Sequence, residues 1–401
     1  MNHETVLMLP LLGLLSWVWL FYLWQRRAIR DRPDPIEPTG YPSLTIIRPI
    51  KGMDSGMEEN LRAAFDHGYP GGVEILFVFD DGSEPALPLV EKVMAEMART
   101  GAMVDSRVIF SGQPPANRTG KLNAMIAGLA AARNELIAFV DSDIRQDRDD
   151  LRILVATLLA DARTGSAFPT VVSMAPPRTL GDVGYALMIN GLYEPAALAT
   201  AHQMGGTLPF IMGHMMVFRR AALAAIGGLE AAEGQLVDDM YLGRCLNLAG
   251  YRNRLSPKPA AIIQQDLSLD EFTQVLVRWI AFSMSGLPVL TCKLPHWLTG
   301  MAFWSGLIAA LWAGAVGSLP LALFAATLPL SVSLTINDLH FRMAGSRVPA
   351  KFAWGSLLIW LVAPLVYVQI WTRREVNWRG RHYRLDRGSR LDGKVADRVA
   401  P

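Results

Sequence analysis

The chain has 401 residues, of which 51% are hydrophobic and only 18% are charged. Because typical soluble domains are roughly 25% charged, this composition excludes a disordered chain and argues against a purely soluble one. The net charge is +2, from 38 Lys and Arg against 36 Asp and Glu, so we expect no nucleic-acid partner. The two cysteines, Cys245 and Cys292, cannot form a disulfide scaffold and have no metal-binding spacing, which favours a reducing compartment for the polar part.

The first predicted element is an apolar helix over residues 6–24, which carry no formal charge. Such a helix nearly spans a hydrocarbon core of about 30 Å. A basic cluster follows it, whereas in a cleaved signal peptide, the competing interpretation, positive charge precedes the apolar run. We therefore predict that residues 1–32 form a retained anchor with its N-terminus outside and the chain from Gln25 onward in the cytosol.

A mostly polar region, residues 33–293, follows and begins with a Pro-rich linker. Its pattern alternates between buried strands and amphipathic helices, which predicts an α/β domain with parallel pairing and right-handed crossovers. The predicted strands are 43–49, 73–79, 106–110 and 136–140, and the predicted helices are 58–67, 88–99 and 120–132. Ligands of such sheets bind at the carboxyl ends of the strands, where two acidic clusters fall.

The last predicted blocks are an apolar one, residues 294–372, and a basic tail, residues 373–401. Residues 294–337 contain no Asp, Glu, Lys or Arg and are long enough for two crossings that break at 317–320. We expect a polar loop at 337–351 and a further apolar run at 352–372. Three crossings here would leave the tail outside, but its arginines favour the inside, so either one run is re-entrant or lies flat, or the positive-inside rule fails here.

Acidic pairs follow two of the predicted strands. Asp80 and Asp81 end the second strand, where they could form a turn or accept hydrogen bonds from a base or ribose. Asp141 and Asp143 follow the fourth strand with one residue between them. Two carboxylates at this spacing could bind Mg²⁺ or Mn²⁺ with its diphosphate, or could form a solvated turn.

Two further motifs lie nearer the apolar block. Asp238 and Asp239 are adjacent carboxylates, so one could have the raised pKa of a general base, or both could favour a helix N-terminus. Arg278 and Trp279 lie in the amphipathic segment 270–284, where a cation could neutralise a departing diphosphate or snorkel at the interface. The charge-free, Met-rich segment 195–218 is interpreted as interfacial and lining a lipid entry, with core packing or a true crossing as alternatives.

The order of these motifs resembles that of the membrane-bound inverting GT-A glycosyltransferases. Within that group, the chain resembles the ceramide glucosyltransferase-like enzymes of family 21, which also include hopanoid-biosynthesis glycosyltransferases. The resemblance implies a Rossmann-like, mixed, mostly parallel sheet in a cytosolic domain between membrane helices at both ends. The matching stretches are 48–54, 59–61, 69–70, 79–81, 141–144, 212–220, 238–239, 278–279 and 377–385.

The resemblance also implies a role for each matching residue. In a bound UDP-sugar, Asp80 or Asp81 would contact the uridine. Lys121 and Asn123 would lie near the nucleotide, and Asp141 would bind the sugar nucleotide. The divalent cation, Mn²⁺ or Mg²⁺, would lie on Asp143. Asp239 would be the catalytic base, with Asp238 in the preceding acidic position, and Arg278 and Trp279 would end the (Q/R)xxRW motif.

The chain departs from the family pattern at the candidate acceptor pocket, which comprises His214, Met215 and Val275. Val275 replaces the first residue of (Q/R)xxRW, and the nearest polar residue, Gln274, comes one position early. His214 stands where ceramide-type enzymes have Lys, and it could be a pocket group or a structural histidine. These differences bear on the substrate more than on the reaction class.

The resemblance implies an enzyme that transfers a hexose from a UDP-sugar to a hydroxyl of a membrane lipid, with a β-linked product. A ceramide-type sphingolipid is the first expected acceptor and a hopanoid polyol the second. The expected location is the bacterial inner membrane, with the catalytic domain in the cytosol. The alternatives are a processive polysaccharide synthase, which needs more membrane helices, and a non-catalytic membrane scaffold with a degenerate transferase domain.

Overall fold

A computed structural model describes residues 3–35, 37–100, 104–286, 289–386 and 390–392. Part of the predicted basic tail, Arg387 and residues 393–401, lies outside the described residues, as does Ile36 of the Pro-rich linker. The seven strands and helices predicted between residues 43 and 140 are all present, within two residues of their expected bounds.

The strands are short, and the longest helices lie near the two ends of the described chain. The strands are β1 (Leu44–Pro49), β2 (Val73–Phe79), β3 (Asp105–Phe110), β4 (Leu136–Val140), β5 (Ile144–Arg145), β6 (Thr164–Phe168), β7 (Val171–Ser173), β8 (Thr207–Leu208), β9 (Met215–Arg219), β10 (Arg252–Leu255), β11 (Ala260–Ile262), β12 (Glu375–Trp378) and β13 (Arg381–Arg384). The helices are α1 (His3–Arg30), α2 (Met57–Phe65), α3 (Leu87–Arg99), α4 (Gly120–Ala131), α5 (Asp150–Leu159), α6 (Leu180–Leu187), α7 (Glu194–Gln203), α8 (Arg220–Ala225), α9 (Asp238–Leu248), α10 (Leu269–Gly286), α11 (Leu294–Ala315), α12 (Leu319–Ala344) and α13 (Gly355–Arg373). Two π-helical turns, Met188–Tyr193 and Val289–Lys293, precede α7 and α11.

The α/β domain is built on an eight-stranded sheet with the order β3-β2-β1-β4-β9-β6-β10-β8. The four strands β3, β2, β1 and β4 run parallel to one another. Strand β9 is antiparallel to both of its neighbours, and β10 is parallel to β6. Alternate residues of β1 pack into opposite hydrophobic layers, with Ile46 on one face and Ile47 on the other. Because both faces are covered, the central strands β2 and β4 are largely continuous apolar runs. The mixed, mostly parallel GT-A-type sheet is confirmed.

Four helical segments are long and apolar enough to cross a membrane: Val6–Arg30, Val289–Ala315, Leu319–Ala344 and Ala350–Thr372. Helices α11 and α12 pack together, and α1 packs against both. The Tyr22 hydroxyl of α1 donates to Asp338 Oδ2 of α12 at 2.7 Å. Exposed side chains such as Leu311, Leu319 and Leu323 give these helices an apolar outer surface that suits a bilayer.

Helix α13 differs from the others because both of its ends contact the α/β domain. At its first residue, Gly355 packs so closely on Val183 of α6 that a Cβ would lie 2.7 Å from that side chain. After its last residue, the β12–β13 hairpin returns to the domain, where Arg379 pairs with Asp54. A flat or re-entrant course for this apolar run stays a prediction, since its length and composition also suit a crossing.

Two sequence predictions need correction. The polar loop expected at 337–351 begins only after Ala344, because Asp338 and Arg342 form an i,i+4 ion pair that extends α12. The segment 195–218 is not interfacial as a whole: it contains the buried helix α7 and strand β9 inside the sheet, between β4 and β6. Core packing, the alternative interpretation, describes most of this segment.

Candidate active site

A cavity of about 370 Å³ lies at the carboxyl ends of β1, β2 and β4. The first turn of α9 and one side of α10 close it from above, and the β12–β13 hairpin covers one end. Of the thirteen predicted site residues, ten line this cavity. They are Asp80, Lys121, Asp141, Asp143, His214, Asp238, Asp239, Val275, Arg278 and Trp279.

Three predicted site residues lie outside the lining of this cavity. Asp81 accepts hydrogen bonds from the backbone and side chain of Ser83, as a turn residue does, and these bonds lower the pKa of its carboxyl. The Asn123 amide donates to the backbone carbonyls that follow β3. Met215 is 1% exposed in the core, so its prediction as an acceptor-pocket residue is wrong.

At one end of the cavity, here called the donor end, buried acids are paired with cations. Asp80 is 5% exposed, and its Oδ2 lies 2.8 Å from Lys51 Nζ and 2.6 Å from Arg381 Nη2. The amide of Gly120, at the first turn of α4, donates to the Tyr383 hydroxyl at 3.1 Å. A Cβ at Gly120 would overlap Arg381 Nη1, so a side chain at this position would force the tip of Arg381 to move.

Asp141 and Asp143 follow β4 in the middle of the cavity. Lys121 Nζ lies 2.6 Å from Asp141 Oδ1 and also donates to the Gly213 carbonyl at 2.8 Å. The fully buried Arg48 donates to the Asp141 and Ile144 carbonyls, which fixes the turn that carries both acids. Burial, with the charges of Asp141 and Asp54, raises the pKa of Asp143 to about 6.

A divalent cation fits these residues. Asp143 Oδ1 is buried and has no hydrogen-bond partner among the described residues, and the nearby negative charges destabilise its ionised form. No group of three His, Cys, Asp or Glu side chains in the described part of the chain could hold a metal ion. A cation on Asp143 would therefore take its remaining ligands from a diphosphate and water, as Mg²⁺ does in many phosphate sites.

Asp238 and Asp239 form the first turn of α9. Asp238 Oδ1 accepts from the Asp239 amide at 3.0 Å, and Asp239 Oδ1 accepts from the Met240 amide at 2.8 Å. Burial and the Asp238 charge raise the pKa of Asp239 to about 7, with Lys121 opposing the rise. A carboxylate with this pKa is suited to general-base chemistry near neutral pH.

The residue opposite Asp239 must be glycine. A Cβ at Gly213 would lie 2.5 Å from Asp239 Oδ2 and 2.9 Å from Asp239 Cγ. This close approach brings Asp239 beside the Gly213 carbonyl, which Lys121 also contacts. One lysine thus links Asp239 on α9 electrostatically to Asp141 at the end of β4.

Helix α10 contributes Val275, Arg278 and Trp279 to the cavity. The Arg278 guanidinium lies 5.9 Å from the centre of the Trp378 ring and makes no ion pair with any described residue. Gln274 is exposed and donates to Asp270, so it does not replace the polar side chain missing at Val275. The turn that faces the cavity at this position is apolar.

The other end of the cavity, here called the acceptor end, is bordered by a row of rings that we name the aromatic wall: His214, Trp279, Tyr193, His296 and Phe21. Successive ring centroids are 5.4, 5.2, 5.7 and 6.3 Å apart. The wall starts beside the acids and ends on the membrane helix α1. Burial lowers the pKa of His214 to about 4, so its imidazole is neutral.

Sequence reasoning missed several residues of the cavity. The hairpin residues Arg379, Arg381 and Tyr383 fell in a recognised stretch that was given no role. Glu194 was missed although it is the only Asp, Glu, Lys or Arg in residues 183–218, and an isolated charge in an apolar run is a signal of function.

Comparisons with known proteins agree with this geometry. The sequence model for glycosyl transferase family 21 matches residues 6–391. Ceramide glucosyltransferase 3 of Caenorhabditis elegans is 24% identical over 366 residues, which cover 88% of this chain and 75% of the relative. Ceramide glucosyltransferase 1 of the same organism is 23% identical over 380 residues, which cover 92% and 77%.

Among solved structures, the mannosyltransferase PcManGT from Pyrobaculum calidifontis, in complex with GDP-Man and Mn²⁺, has a TM-score of 0.54. It is 20% identical, and the alignment covers 90% of this chain and 97% of the mannosyltransferase chain. This likeness supports the fold alone. The family match, by contrast, includes the α/β domain and the helices on both sides of it. This protein therefore belongs to glycosyl transferase family 21 and is a glycosyltransferase.

Proposed function

We propose that the protein transfers a hexose from a UDP-sugar to a hydroxyl group of a membrane lipid with inversion at the anomeric carbon. A ceramide-type sphingolipid is the first acceptor to test and a hopanoid polyol the second. The observation that carries the proposal is one cavity with the paired acids and Asp239 at its centre and an aromatic wall that leads to α1. The names of the curated relatives, both ceramide glucosyltransferases, support this acceptor class.

The donor end suits a nucleotide diphosphate sugar. Asp80 would accept hydrogen bonds from the uridine, while Asp141 and Lys121 would orient the sugar. Arg278 makes no ion pair with a described residue, so its charge is available to a diphosphate. Asp143 would hold Mn²⁺ or Mg²⁺, which when bound supplies positive charge to the diphosphate.

Asp239 would perform the proton transfer. Its carboxylate takes the proton of the acceptor hydroxyl while that oxygen forms a bond to the anomeric carbon, and the bond from this carbon to the UDP oxygen breaks on the opposite face. The residues of the cavity act by orientation and by stabilising charge. A single displacement on an α-linked donor gives a β-linked product.

We further propose that the α/β domain lies in the cytosol and the helices in the bacterial inner membrane. The support is the position of Arg26, Arg27 and Arg30 directly after the first apolar run. Cytosolic placement also gives the cavity access to nucleotide sugars.

A transfer assay tests the proposal with full-length protein in detergent, Mn²⁺ or Mg²⁺, radiolabelled UDP-sugars, and ceramide or bacteriohopanetetrol. We expect a labelled, chloroform-extractable product whose rate falls by about 10³-fold in Asp239→Asn, because that change keeps the shape and removes the base. Asp105→Asn, which alters an exposed acid at the start of β3, is the control and should stay within twofold of the wild type.

Each contrary outcome has a distinct meaning. Near-normal turnover of Asp239→Asn would reject the assignment of the base. Hydrolysis of a UDP-sugar without a lipid product would reject the acceptor class. An absence of both transfer and UDP binding would favour the non-catalytic scaffold.

A further inference from the structure

Glu194 occupies an unusual position at the acceptor end. It is the first residue of α7, directly after a π-helical turn, and its side chain is fully buried. It lines the same cavity as Asp239 and lies next in sequence to Tyr193 of the aromatic wall. π-Helical turns occur often at functional sites.

The carboxyl group of Glu194 has no hydrogen-bond partner on either oxygen among the described residues. Burial raises the pKa of Glu194 to about 8, opposed by a weak hydrogen bond from the Val171 backbone amide, which falls outside ordinary hydrogen-bond geometry, and by the charge of Arg32. Arg32 makes no ion pair in the described part of the chain. Burial of an unpaired polar group is destabilising, so the fold retains this one at a cost.

The surroundings of Glu194 suit a lipid. Apolar or aromatic side chains of α7, α10 and the second π-helical turn complete the lining: Ala197, Phe282 and Cys292. From there the aromatic wall continues to Phe21, and the exposed Val289 and Leu290 lie at the outer edge. None of these wall residues carries a formal charge, so this side of the cavity suits an acyl chain.

The charges of the cavity indicate what kind of head group fits. Lys51, Lys121, Arg379 and Arg381 contact acids at the donor end and in the middle. The acceptor end instead presents a carboxyl group that burial favours in its neutral form, so it can exchange hydrogen bonds with a hydroxyl or amide but offers no positive charge to a lipid phosphate.

We propose that Glu194 hydrogen-bonds a second polar group of the acceptor, so that this end of the cavity selects neutral lipids that carry a hydroxyl or amide N–H besides the hydroxyl that receives the sugar. This inference rests on the proposed function. It assigns Glu194 to acceptor recognition and gives it no part in the displacement itself.

The experiment compares two neutral acceptors that share a primary hydroxyl: ceramide, with an amide and a second hydroxyl, and 1,2-diacylglycerol, which has neither. For the wild type we expect kcat/KM to favour ceramide by about tenfold or more. Glu194→Leu should lose most of this preference through a higher KM for ceramide, with diacylglycerol unchanged within twofold. Glu194→Gln keeps an oxygen acceptor and should retain part of the preference.

A stability measurement separates recognition from a structural role. If Glu194 awaits a ligand, Glu194→Leu should leave the Tm unchanged or raise it, because only a weak contact with the Val171 amide is lost and the cost of burying a carboxyl is removed. Glu74→Gln is the matched control: Glu74 is also buried but bonds Thr45 and Arg107 far from the cavity, at the start of β2. It should lower the Tm and leave the lipid preference intact. A lower Tm for Glu194→Leu with unchanged preference would overturn the inference.

A binding measurement distinguishes failure of the inference from failure of the proposed function. Fluorescent NBD-ceramide is titrated into the detergent-solubilised protein without donor. If the wild type glycosylates no lipid, the proposed function fails, and weaker NBD-ceramide binding to Glu194→Leu would still support the site. Equal binding to wild type and variant, or equal loss of activity on both lipids, would overturn it.

Discussion

The donor end and the acceptor end of the cavity differ in whether their buried polar side chains have partners. At the donor end, Asp80, Asp54 and Asp141 each have a lysine or arginine within ion-pair distance. At the acceptor end, the Glu194 carboxyl and Nδ1 of His214 are buried without a hydrogen-bond partner among the described residues.

This difference predicts how the ion pairs and hydrogen bonds at each end would change when a ligand binds. Apart from Arg278, the cations near the donor end are already engaged, so a diphosphate there has to compete with carboxylates and its binding exchanges one anion for another. A ligand at the acceptor end supplies partners that are missing, so binding there adds hydrogen bonds. The first process depends on salt and metal, and the second on the shape and donors of the lipid.

Removal of the β12–β13 hairpin should have the largest effect, a loss of UDP affinity at the donor end without a matching loss of lipid affinity at the acceptor end. A chain that ends after Arg374 lacks Arg379, Arg381 and Tyr383, which line the donor end. We expect UDP affinity to fall by about 100-fold or more, while NBD-ceramide binding stays within about threefold. Isothermal titration with UDP and Mn²⁺, and fluorescence titration with the lipid, measure the two ends separately.

The double replacement Arg384→Ala and Glu375→Ala is the control for hairpin removal, because it removes only an exposed ion pair of the same hairpin. Unchanged UDP binding by the shortened chain would show that the donor end does not need the hairpin and would remove the basis of the comparison.

Gly213→Ala tests the boundary between the two ends. The new Cβ would lie 2.5 Å from Asp239 Oδ2 and would therefore displace Asp239. We expect kcat to fall by about 10- to 100-fold, while the affinities for donor and acceptor are preserved. Gly82→Ala is the matched control, since a Cβ there meets nothing within 4 Å. If kcat stayed normal in Gly213→Ala, the position of Asp239 would not limit the reaction.

The smallest expected effect is the pH dependence. A general base acts when deprotonated, so kcat/KM should rise with pH up to about 7 and then level off, with about a tenfold change per unit on the acidic side. Asp238→Asn should move the midpoint to lower pH, because the Asp238 charge contributes to the raised pKa of Asp239. A profile that is flat between pH 5 and 8 would contradict the assignment.

Most of the sheet could be predicted from the sequence, because β1 to β4 are short apolar runs separated by amphipathic helices. Strand β9 could not be recognised: it is buried on both faces, and its methionines give no alternation that distinguishes a strand from an irregular apolar segment. The choice between Asp80 and Asp81 needed the structure too, although adjacent side chains at a strand end point to opposite sides.

The cavity was predictable only where its residues lie close to strand ends. The acids after β2 and β4 follow from the rule for parallel sheets. The contacts of Arg379 and Arg381 could not be inferred, because they join residues 325 and 301 positions apart across an apolar helix that looks like a crossing. Glu194 stands out in the sequence as an isolated charge in an apolar run, but its burial and its lack of hydrogen-bond partners among the described residues, which suggest a ligand contact, are visible only in the structure.

The hairpin that follows α13 also bears on how the enzyme is made in the cell. Synthesis proceeds from the N-terminus, so the α/β domain emerges long before the last two strands. A nascent chain lacks the arginines that line the donor end of the cavity until α11, α12 and α13 have been translated. Under the proposed function, the capacity to consume sugar nucleotide is therefore acquired at the end of biogenesis, and truncated products of stalled translation lack it.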